Sequence, residues 1–482
     1  MSSDPGPALP PLDEAEGADP AVFGSYDVRG LVGPQLSEGF VRAIGAAFAD
    51  ELRLAGREAV VGHDMRDSSP GFARAFAEGL RLRGANAVSI GLCSTDMNYY
   101  ASGVLGAAAA MFTASHNPAA YNGIKMSRPG AVALSRDTGL AAIRDRAVRY
   151  AREGIRPAPG GEGDERSVDL VEDYAAHLRG LVEQPPTGRP LRVAVDAGNG
   201  MAGYTVPRVL GGRPELEIVP LYFELDGSFP NHEANPLDPE NLRDLQAAVV
   251  AGRADLGLAF DGDADRCFVV DEHGEAVSPS AVTAIVARRE VERARAAGER
   301  EITVLYNHLV SRHVPEYLER LGAATERTKV GHSLIKARMA ATGAVFGGEH
   351  SAHYYFRDFW GADNGMLAAL HVLAELAGSG RAMSELAAEH SPYAASGEIN
   401  SVVRDPAAAL ERIAEAFAGR AELEEFDGLG LRGITALDEP FWWANVRLSN
   451  TEPLLRLNVE SASPERMAEV RDLLLELIRS EG

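Results

Sequence analysis

From Val22 onward, short apolar runs alternate with amphipathic stretches of helical period: Ala59-Val60-Val61-Gly62, then Gly71 to Arg83, then Ala87-Val88-Ser89-Ile90. Strand-like runs separated by helical ones predict α/β domains. Proline and glycine gather at 156–163 and 185–190 around one predicted helix, Ser167 to Val182, and place a boundary near residue 188. A second unit opens with the strand Leu191 to Asp196, enters the turn Ala197-Gly198-Asn199-Gly200 and runs to a strand ending near Asp271. The helical sequence Ala281 to Ala297 begins a third unit, with strands at Ile302 to Leu305 and Ala344 to Phe346 and alanine-rich helices through Glu389. From about Ser396 the pattern reads helix, three strands, helix, with hairpin-like runs at Ala444 to Leu448 and Leu454 to Val459. The expected division is a tail over 1–20 and domains over 21–188, 189–280, 281–395 and 396–482. No internal sequence repeat is detectable, although the three α/β units are similar in size.

A chain of 482 residues exceeds what one hydrophobic core supports, in keeping with several domains. The formal charge of −23 argues against nucleic acid or an anionic membrane as partner. No apolar run reaches the roughly 18 residues that a membrane-spanning helix needs. The first 20 residues are rich in Pro, Asp, Glu and Gly and lack the basic start and apolar stretch of a signal peptide, so they are expected to be disordered. Cys93 and Cys267 are too few for a disulfide framework, which fits a reducing compartment. A cytoplasmic protein is expected.

Among 47 basic residues only Lys125, Lys329 and Lys336 are lysines. Lysine yields a proton near neutral pH more readily than arginine, so the three that remain draw attention to their surroundings. Lys125 closes the segment Thr113-Ala114-Ser115-His116-Asn117-Pro118 and Tyr121-Asn122-Gly123-Ile124-Lys125, which sets a hydroxyl, an imidazole and an ammonium in one loop. As a bare pattern, Ser-His-Asn-Pro also describes a plain turn with a capping serine. The apolar stretch Val104 to Phe112 predicts a strand that delivers Ser115 at its carboxyl end, where α/β folds place ligands. A helix starting just after Ser115 would aim backbone N–H groups at an anion on that hydroxyl. No Gly-x-Ser-x-Gly elbow is present, which disfavours a hydrolase triad.

Asp261-Gly262-Asp263-Ala264-Asp265-Arg266 lies between the apolar strands Leu256 to Phe260 and Cys267 to Val270, with alternation placing the three carboxylates on one side. Hard oxygen ligands so close together suit Mg²⁺, which binds through few carboxylates plus phosphate oxygens. An EF-hand would use Glu272 at its twelfth position, but Arg266 stands where that loop needs glycine and strands replace the flanking helices. An arginine beside such a metal suits a phosphoryl group held there.

The segment Thr113 to Lys125 resembles the phosphoserine loop of the α-D-phosphohexomutase superfamily, the phosphomannomutases and phosphoglucomutases, and Asp261 to Arg266 resembles its metal loop. The resemblance implies that Ser115 carries a phosphate, that His116 and Lys125 transfer protons, and that Ser115, Asp261, Asp263 and Asp265 hold Mg²⁺ beside Arg266. Gly348-Glu349-His350-Ser351-Ala352-His353 resembles the family's sugar-reading loop, with Glu349 and Ser351 for ring hydroxyls and His353 at a position usual in mannose-active and dual-specificity members. Arg447-Leu448-Ser449-Asn450-Thr451-Glu452-Pro453 looks like its phosphate loop, which implies that Arg447, Ser449, Asn450 and Thr451 bind the non-reacting phosphate. Lys329 and His332 fall where relatives add phosphate or proton contacts. Tyr26 and Arg29, in Tyr26-Asp27-Val28-Arg29-Gly30, match the amino-terminal motif that closes over the phosphoserine. Near Asn307 some relatives have a lysine that this chain lacks.

The resemblance spans residues 22 to 482 and requires four motifs in order. It implies three similar mixed-sheet α/β domains and a smaller carboxyl-terminal α+β domain around a central cleft. The implied activity is phosphomannomutase, exchanging mannose 6-phosphate and mannose 1-phosphate through a hexose 1,6-bisphosphate, with Mg²⁺ as cofactor and the bisphosphate as activator. Phosphoglucomutase or dual specificity is the alternative; a catalytically silent sugar-phosphate sensor and a Mg²⁺-dependent phosphatase come behind. The implied partners are hexose phosphates, with a monomer or homodimer as the assembly.

Overall fold

The apolar runs gather into four sheets in a computed structural model of the chain, which describes residues 9–12, 17–433, 440–448 and 454–480. In the first sheet the strands Glu58–His63, Asn86–Leu92 and Ala108–Phe112 are parallel, and Tyr121–Arg128 returns antiparallel to Ala108–Phe112. Val28–Leu31 pairs antiparallel with the outer side of Tyr121–Arg128. Every residue of Ala108–Phe112 is buried, as expected of a strand covered on both faces by helices.

The second sheet repeats this order. Leu191–Asp196, Leu216–Leu221 and Leu256–Phe260 are parallel, and Cys267–Asp271 returns antiparallel to the last of them. The third does so again, with Thr303–Asn307, Ala324–Thr328 and Phe346–Gly348 parallel and Tyr354–Phe356 antiparallel to Phe346–Gly348. Three units without detectable sequence repetition thus share one strand order. In each, the connection into the antiparallel strand carries a motif singled out above: residues 113–120, 261–266 and 349–353. The carboxyl end of a strand is where such sheets leave room for ligands.

The fourth domain is an antiparallel sheet of six strands with the helices Pro406–Phe417 and Pro464–Arg479. Four strands rather than three lie between those helices, and Ile399–Val402 precedes them. It docks on the third domain through Ser311 Oγ and the Arg312 N–H, both donating to Glu460, and through the Val330 N–H, which donates to Asp427 Oδ2 at 2.8 Å.

Four local expectations are corrected. Val104 to Phe112 is split: a helix runs Thr95–Leu105, Gly106 ends it in the left-handed region at φ 59°, and the strand begins at Ala108. No helix follows Ser115, because the chain turns through Pro118 straight into the strand Tyr121–Arg128. Residues 9–12 and 17–20 are not a disordered tail. Leu9 exchanges backbone hydrogen bonds with Ile155 at 2.9 and 3.1 Å, the Leu12 N–H donates to Ala151 O, and Asp19 caps a short 3₁₀ turn. Leu9 and Leu12 pack on the first core, an apolar contribution that the surrounding prolines and acids concealed. Further along, Glu165–Ser167, at the expected start of a helix, is an edge strand beside Asn86–Leu92, and the helix itself is Val171–Leu181.

Among the described residues no helix is long and apolar enough to cross a membrane, and both cysteines are buried free thiols.

Candidate active site

Each of the three motif loops contains one non-glycine residue in the left-handed region: Ser115 at φ 51°, Ala264 at 61° and Ala352 at 63°. Such a conformation costs roughly 1–3 kcal/mol and persists only where the surroundings impose it. At Ser115 those surroundings are visible. Its N–H donates to Thr113 Oγ1 at 2.9 Å, and its carbonyl accepts from Arg66 Nη2 at 2.9 Å. Its hydroxyl donates to Asp261 Oδ2 at 2.7 Å, across the boundary between the first and second sheets. The approach needs glycine at 262, since a Cβ there would lie 2.4 Å from Ser115 O.

Around this hydroxyl lie a buried ion pair and a neutral imidazole. Arg266 donates from Nη2 to Ser115 Oγ at 3.1 Å and grips Asp261 Oδ2 through Nε and Nη2 at 3.0 and 2.7 Å. His116 Nδ1 lies 3.2 Å from Ser115 Oγ and also meets Arg266 Nη2. A guanidinium only donates, so Nδ1 accepts and the proton of the neutral ring sits on Nε2. Burial, helped by the charges of Arg266 and Arg29, holds His116 well below the ordinary histidine range, so the ring is neutral at pH 7.

Lys125 projects from the returning strand and places Nζ 2.7 Å from Asp263 Oδ2 and 2.6 Å from Asp265 Oδ2. Burial alone would lower its pKa, but the two carboxylates outweigh it and raise Lys125 well above its usual value. For Asp263 burial is likewise outweighed, by Lys125 and by the Thr95 hydroxyl, and its carboxyl stays far below the usual range. Asp261 moves the other way: burial pushes it up against the counteracting charge of Arg266.

The donor set fits a divalent cation. Asp261, Asp263 and Asp265 are buried, and each offers a carboxylate oxygen within 4.8 Å of the others. Asp263 Oδ1 and Asp265 Oδ1 are buried without a hydrogen-bond donor, a costly arrangement that a hard cation would satisfy.

The third loop faces the same cluster. Glu349, 2% exposed, accepts from Asn307 Nδ2 at 3.1 Å and from the Tyr355 hydroxyl at 2.7 Å. His353 sits 3.0 Å from Ser351 Oγ, 3.6 Å from Glu349 Oε2 and 3.9 Å from Asp265 Oδ1. Burial lowers His353 to about 4, against the pull of Asp265.

Family models match in chain order: phosphoglucomutase/phosphomannomutase alpha/beta/alpha domain I over residues 20–152, domain II over 172–274, domain III over 278–393 and the C-terminal domain over 398–477. The chain belongs to the phosphoglucomutase/phosphomannomutase family. It is 38% identical over 453 residues to a protein of Xanthomonas campestris named phosphohexose mutases, covering 93% of this chain and 97% of that one. It is 35% identical over 469 residues to a phosphomannomutase of Salmonella montevideo, covering 95% and 99%. A crystal structure of a phosphoglucomutase/phosphomannomutase family protein from Burkholderia thailandensis superposes with a TM-score of 0.84 at 30% identity, covering 96% of this chain and 99% of that one.

Of the family positions identified in the sequence, Ser115, Asp261, Asp263, Asp265 and Arg266 form the buried cluster just described, with His116 and Lys125 partly buried against it and Glu349, Ser351 and His353 beside it. Arg29 reaches the Ser115 loop by donating from Nη1 to Asn117 Oδ1 at 2.6 Å and to Ala114 O at 3.3 Å, with Nε on Asp27. Tyr26 lies against the third domain, its hydroxyl 2.9 Å from where a Cβ on Gly331 would stand. Lys329 is exposed on the side that faces the fourth domain. Arg447 is paired with Glu398 at 2.9 Å within the fourth domain. Ser449, Asn450 and Thr451 lie outside the described residues, as does the side chain of His332, whose backbone starts the helix His332–Thr342.

Two residues absent from the sequence reading, Arg66 and Thr95, belong to this architecture, as does Lys336, which stood out there only through the scarcity of lysine. Arg66, in the His63-Asp64-Met65-Arg66 loop, is 2% exposed and grips the backbone around Ser115. Thr95 ties the amino end of the helix Thr95–Leu105 to Asp263 through its hydroxyl at 2.5 Å and its N–H to the Asp263 carbonyl at 3.0 Å. Lys336 is buried 2.5 Å from Asp363 Oδ1 with Nζ 4.0 Å from the centre of the Tyr99 ring, which joins the first and third domains. The scarcity of lysine was a signal for Lys336. Nothing local marked Arg66 or Thr95.

Proposed function

We propose that this chain is a phosphomannomutase, interconverting mannose 6-phosphate and mannose 1-phosphate through a phosphorylated Ser115 and a hexose 1,6-bisphosphate. Membership in the family makes it a phosphohexomutase, an intramolecular phosphotransferase; mannose is the finer step. The observation that carries the reading is the position of Ser115 Oγ, between Asp261 at 2.7 Å and Arg266 at 3.1 Å in a buried cluster. A hydroxyl so placed is a seat for a phosphoryl group flanked by a guanidinium and hard-cation ligands.

Asp261, Asp263, Asp265 and an oxygen on Ser115 would hold Mg²⁺, which when bound neutralises charge on the phosphoryl oxygens. In the forward half-reaction the phosphorus–Oγ bond of phosphoserine breaks as a bond forms to a hydroxyl of the bound sugar phosphate. The hydroxyl proton leaves to a base, and Ser115 Oγ regains a proton. His116 is neutral, and with Arg266 engaged by the phosphoryl group its Nδ1, 3.2 Å from Oγ, is free for the accepting role. Lys125, kept charged by Asp263 and Asp265, suits the donating one. Arg266 and Arg29 stabilise the phosphoryl group in transit. After the bisphosphate reorients, its other phosphate returns to Ser115, and free bisphosphate would recharge an enzyme that has lost its phosphate.

Glu349, Ser351 and His353 read the ring hydroxyls, and the histidine at 353 favours mannose over glucose. Arg447, Ser449, Asn450, Thr451, Lys329 and His332 receive the phosphate that does not react.

The test is mass analysis of the purified protein, together with coupled assays on mannose and glucose 1-phosphates. A phosphate on Ser115, no turnover by Ser115→Ala, and a higher kcat/KM for mannose are expected. A bare Ser115 with phosphate elsewhere, or wild-type turnover by Ser115→Ala, overturns the mechanism. A preference for glucose overturns only the choice of sugar.

A further inference from the structure

Arg66 is an arginine with almost no solvent contact, and its partners are nearly all main-chain carbonyls of one loop. Nη1 donates to Pro118 O and Tyr121 O, each at 3.0 Å. Nη2 donates to Ser115 O at 2.9 Å and to Asn117 O at 2.7 Å. Nε lies 3.3 Å from Asp64 Oδ2, which supplies the opposing charge. Asp64 is itself fixed by its N–H to Phe112 O at 2.9 Å and by Ser69 Oγ at 2.6 Å, so the assembly stands on the end of the strand that leads into the loop. Four guanidinium N–H groups on four carbonyls is a geometry that only a planar fork reaches; an ammonium cannot span it.

A second contact ties this fork to the second domain. The guanidinium stacks on the Phe229 ring with Cζ 5.1 Å from its centre, and Gly227 passes so close that a Cβ would lie 2.7 Å from Arg66 Cα. The Phe229 loop is anchored by the Asp226 N–H on Asn199 O at 3.0 Å. The turn after Asn199 reaches the metal loop through the Met201 N–H on Gly262 O at 2.9 Å. One side chain therefore sits where the Ser115 loop and the supports of Asp261 meet.

We propose that Arg66 is a positioning residue for the phosphoryl-transfer step: it holds the Ser115–Tyr121 backbone so that Ser115 keeps its left-handed conformation and presents Oγ to Asp261 and Arg266. The proposal rests on Ser115 being the phosphate carrier. Arg66 makes no hydrogen bond to Ser115 Oγ or to the aspartate cluster, so it positions Oγ through the backbone, although its charge is also felt by Asp263.

The experiment compares wild type, Arg66→Lys and Phe229→Leu by steady-state kinetics, hydrogen exchange of the peptide spanning 113–122, and thermal melting. Arg66→Lys is expected to lower kcat by ~100-fold with KM changed less than ~3-fold, because a small misplacement of a reacting atom is that costly. Exchange in 113–122 should quicken by ~10-fold while the strands Glu58–His63 and Asn86–Leu92 keep their protection. Phe229→Leu, which spares the guanidinium, should move both readouts in the same direction by less. Wild-type kcat and loop exchange in Arg66→Lys overturn the proposal, and so does a loss of activity that only tracks the melting temperature. If Arg66→Lys fails to fold, Phe229→Leu decides by the same two readouts. If wild-type protein bears no phosphate on Ser115, the proposed mechanism falls, while the exchange data still show whether Arg66 holds the loop.

Discussion

Ser115 Oγ donates to Asp261 Oδ2 at 2.7 Å although 146 positions separate the two residues. Each lies in the loop that follows a buried strand of a different sheet, and the sheets share one strand order, so the two loops meet as equivalent corners of equivalent units. The hydroxyl proposed to carry phosphate and a carboxylate proposed to hold a cation are thereby in contact without any ligand between them.

That contact depends on Gly262. A Cβ at this position would stand 2.4 Å from Ser115 O, a distance that forces one loop to retreat. Gly262→Ala is expected to fold, because the clash is confined to the loops, and to lose ~100-fold in kcat from the displaced nucleophile. Steady-state kinetics alongside a thermal melt check this. Wild-type kcat in a folded Gly262→Ala would show that the close approach is not needed.

Lys125 is the cation beside Asp263 and Asp265, whose side chains are at most 1% exposed. Lys125→Met leaves two buried carboxylates without it and is expected to cost about 3–5 kcal/mol in EDTA, as measured by urea denaturation. Added Mg²⁺ should restore more stability to the variant than to wild type, since it replaces the missing charge. Equal gains in the two proteins would mean that the ion binds elsewhere.

Chelation addresses the cluster from the other side. Excess EDTA is expected to stop turnover and Mg²⁺ to restore it, with Asp263→Asn requiring a higher concentration for half-maximal rate. Full activity in EDTA would overturn the metal role of Asp261, Asp263 and Asp265.

His308 supplies a pH dependence away from the metal loop. It lies buried between Phe426 and Trp443 with neither ring nitrogen bonded. Burial, with Arg327 and Arg447 adding to it and Asp427 and Glu424 opposing it, lowers the ring from 6.5 to about 4. The unfolded chain then binds more protons between those values, so stability is full above pH 6.5 and falls as pH drops toward 4. At pH 5 the loss from this group is about 2 kcal/mol. His308→Phe, which suits the aromatic surroundings, should flatten that part of the stability profile between pH 7.5 and 5. An unchanged slope in the variant would place the titration on other histidines.

Much of this molecule was legible in local pattern. Apolar runs such as Leu256 to Phe260 and Cys267 to Val270 could only be buried strands, so the acidic loop between them had to sit at a strand end. Where local pattern misled, the cause was also local. Val104 to Phe112 is uniformly apolar around one glycine, and Gly106 divides a helix end from a strand. Near the amino terminus, prolines and acids outweighed Leu9 and Leu12, whose docking surface lies some 140 residues away by sequence at Ala151 and Ile155.

Residue identity and spacing by themselves determined the α/β class, the order of the four motifs, and the chemistry available at Ser115, Lys125 and the three aspartates, because strand periodicity and ligand type are properties of neighbouring residues. Tertiary structure alone decided that three loops without sequence similarity occupy the same corner of repeated sheets, that Lys125 lies between Asp263 and Asp265, and that Arg66 grips the Ser115 backbone. Those relations join residues tens to more than a hundred positions apart. They are set by strand order and domain packing, which no local pattern of polar and apolar residues encodes.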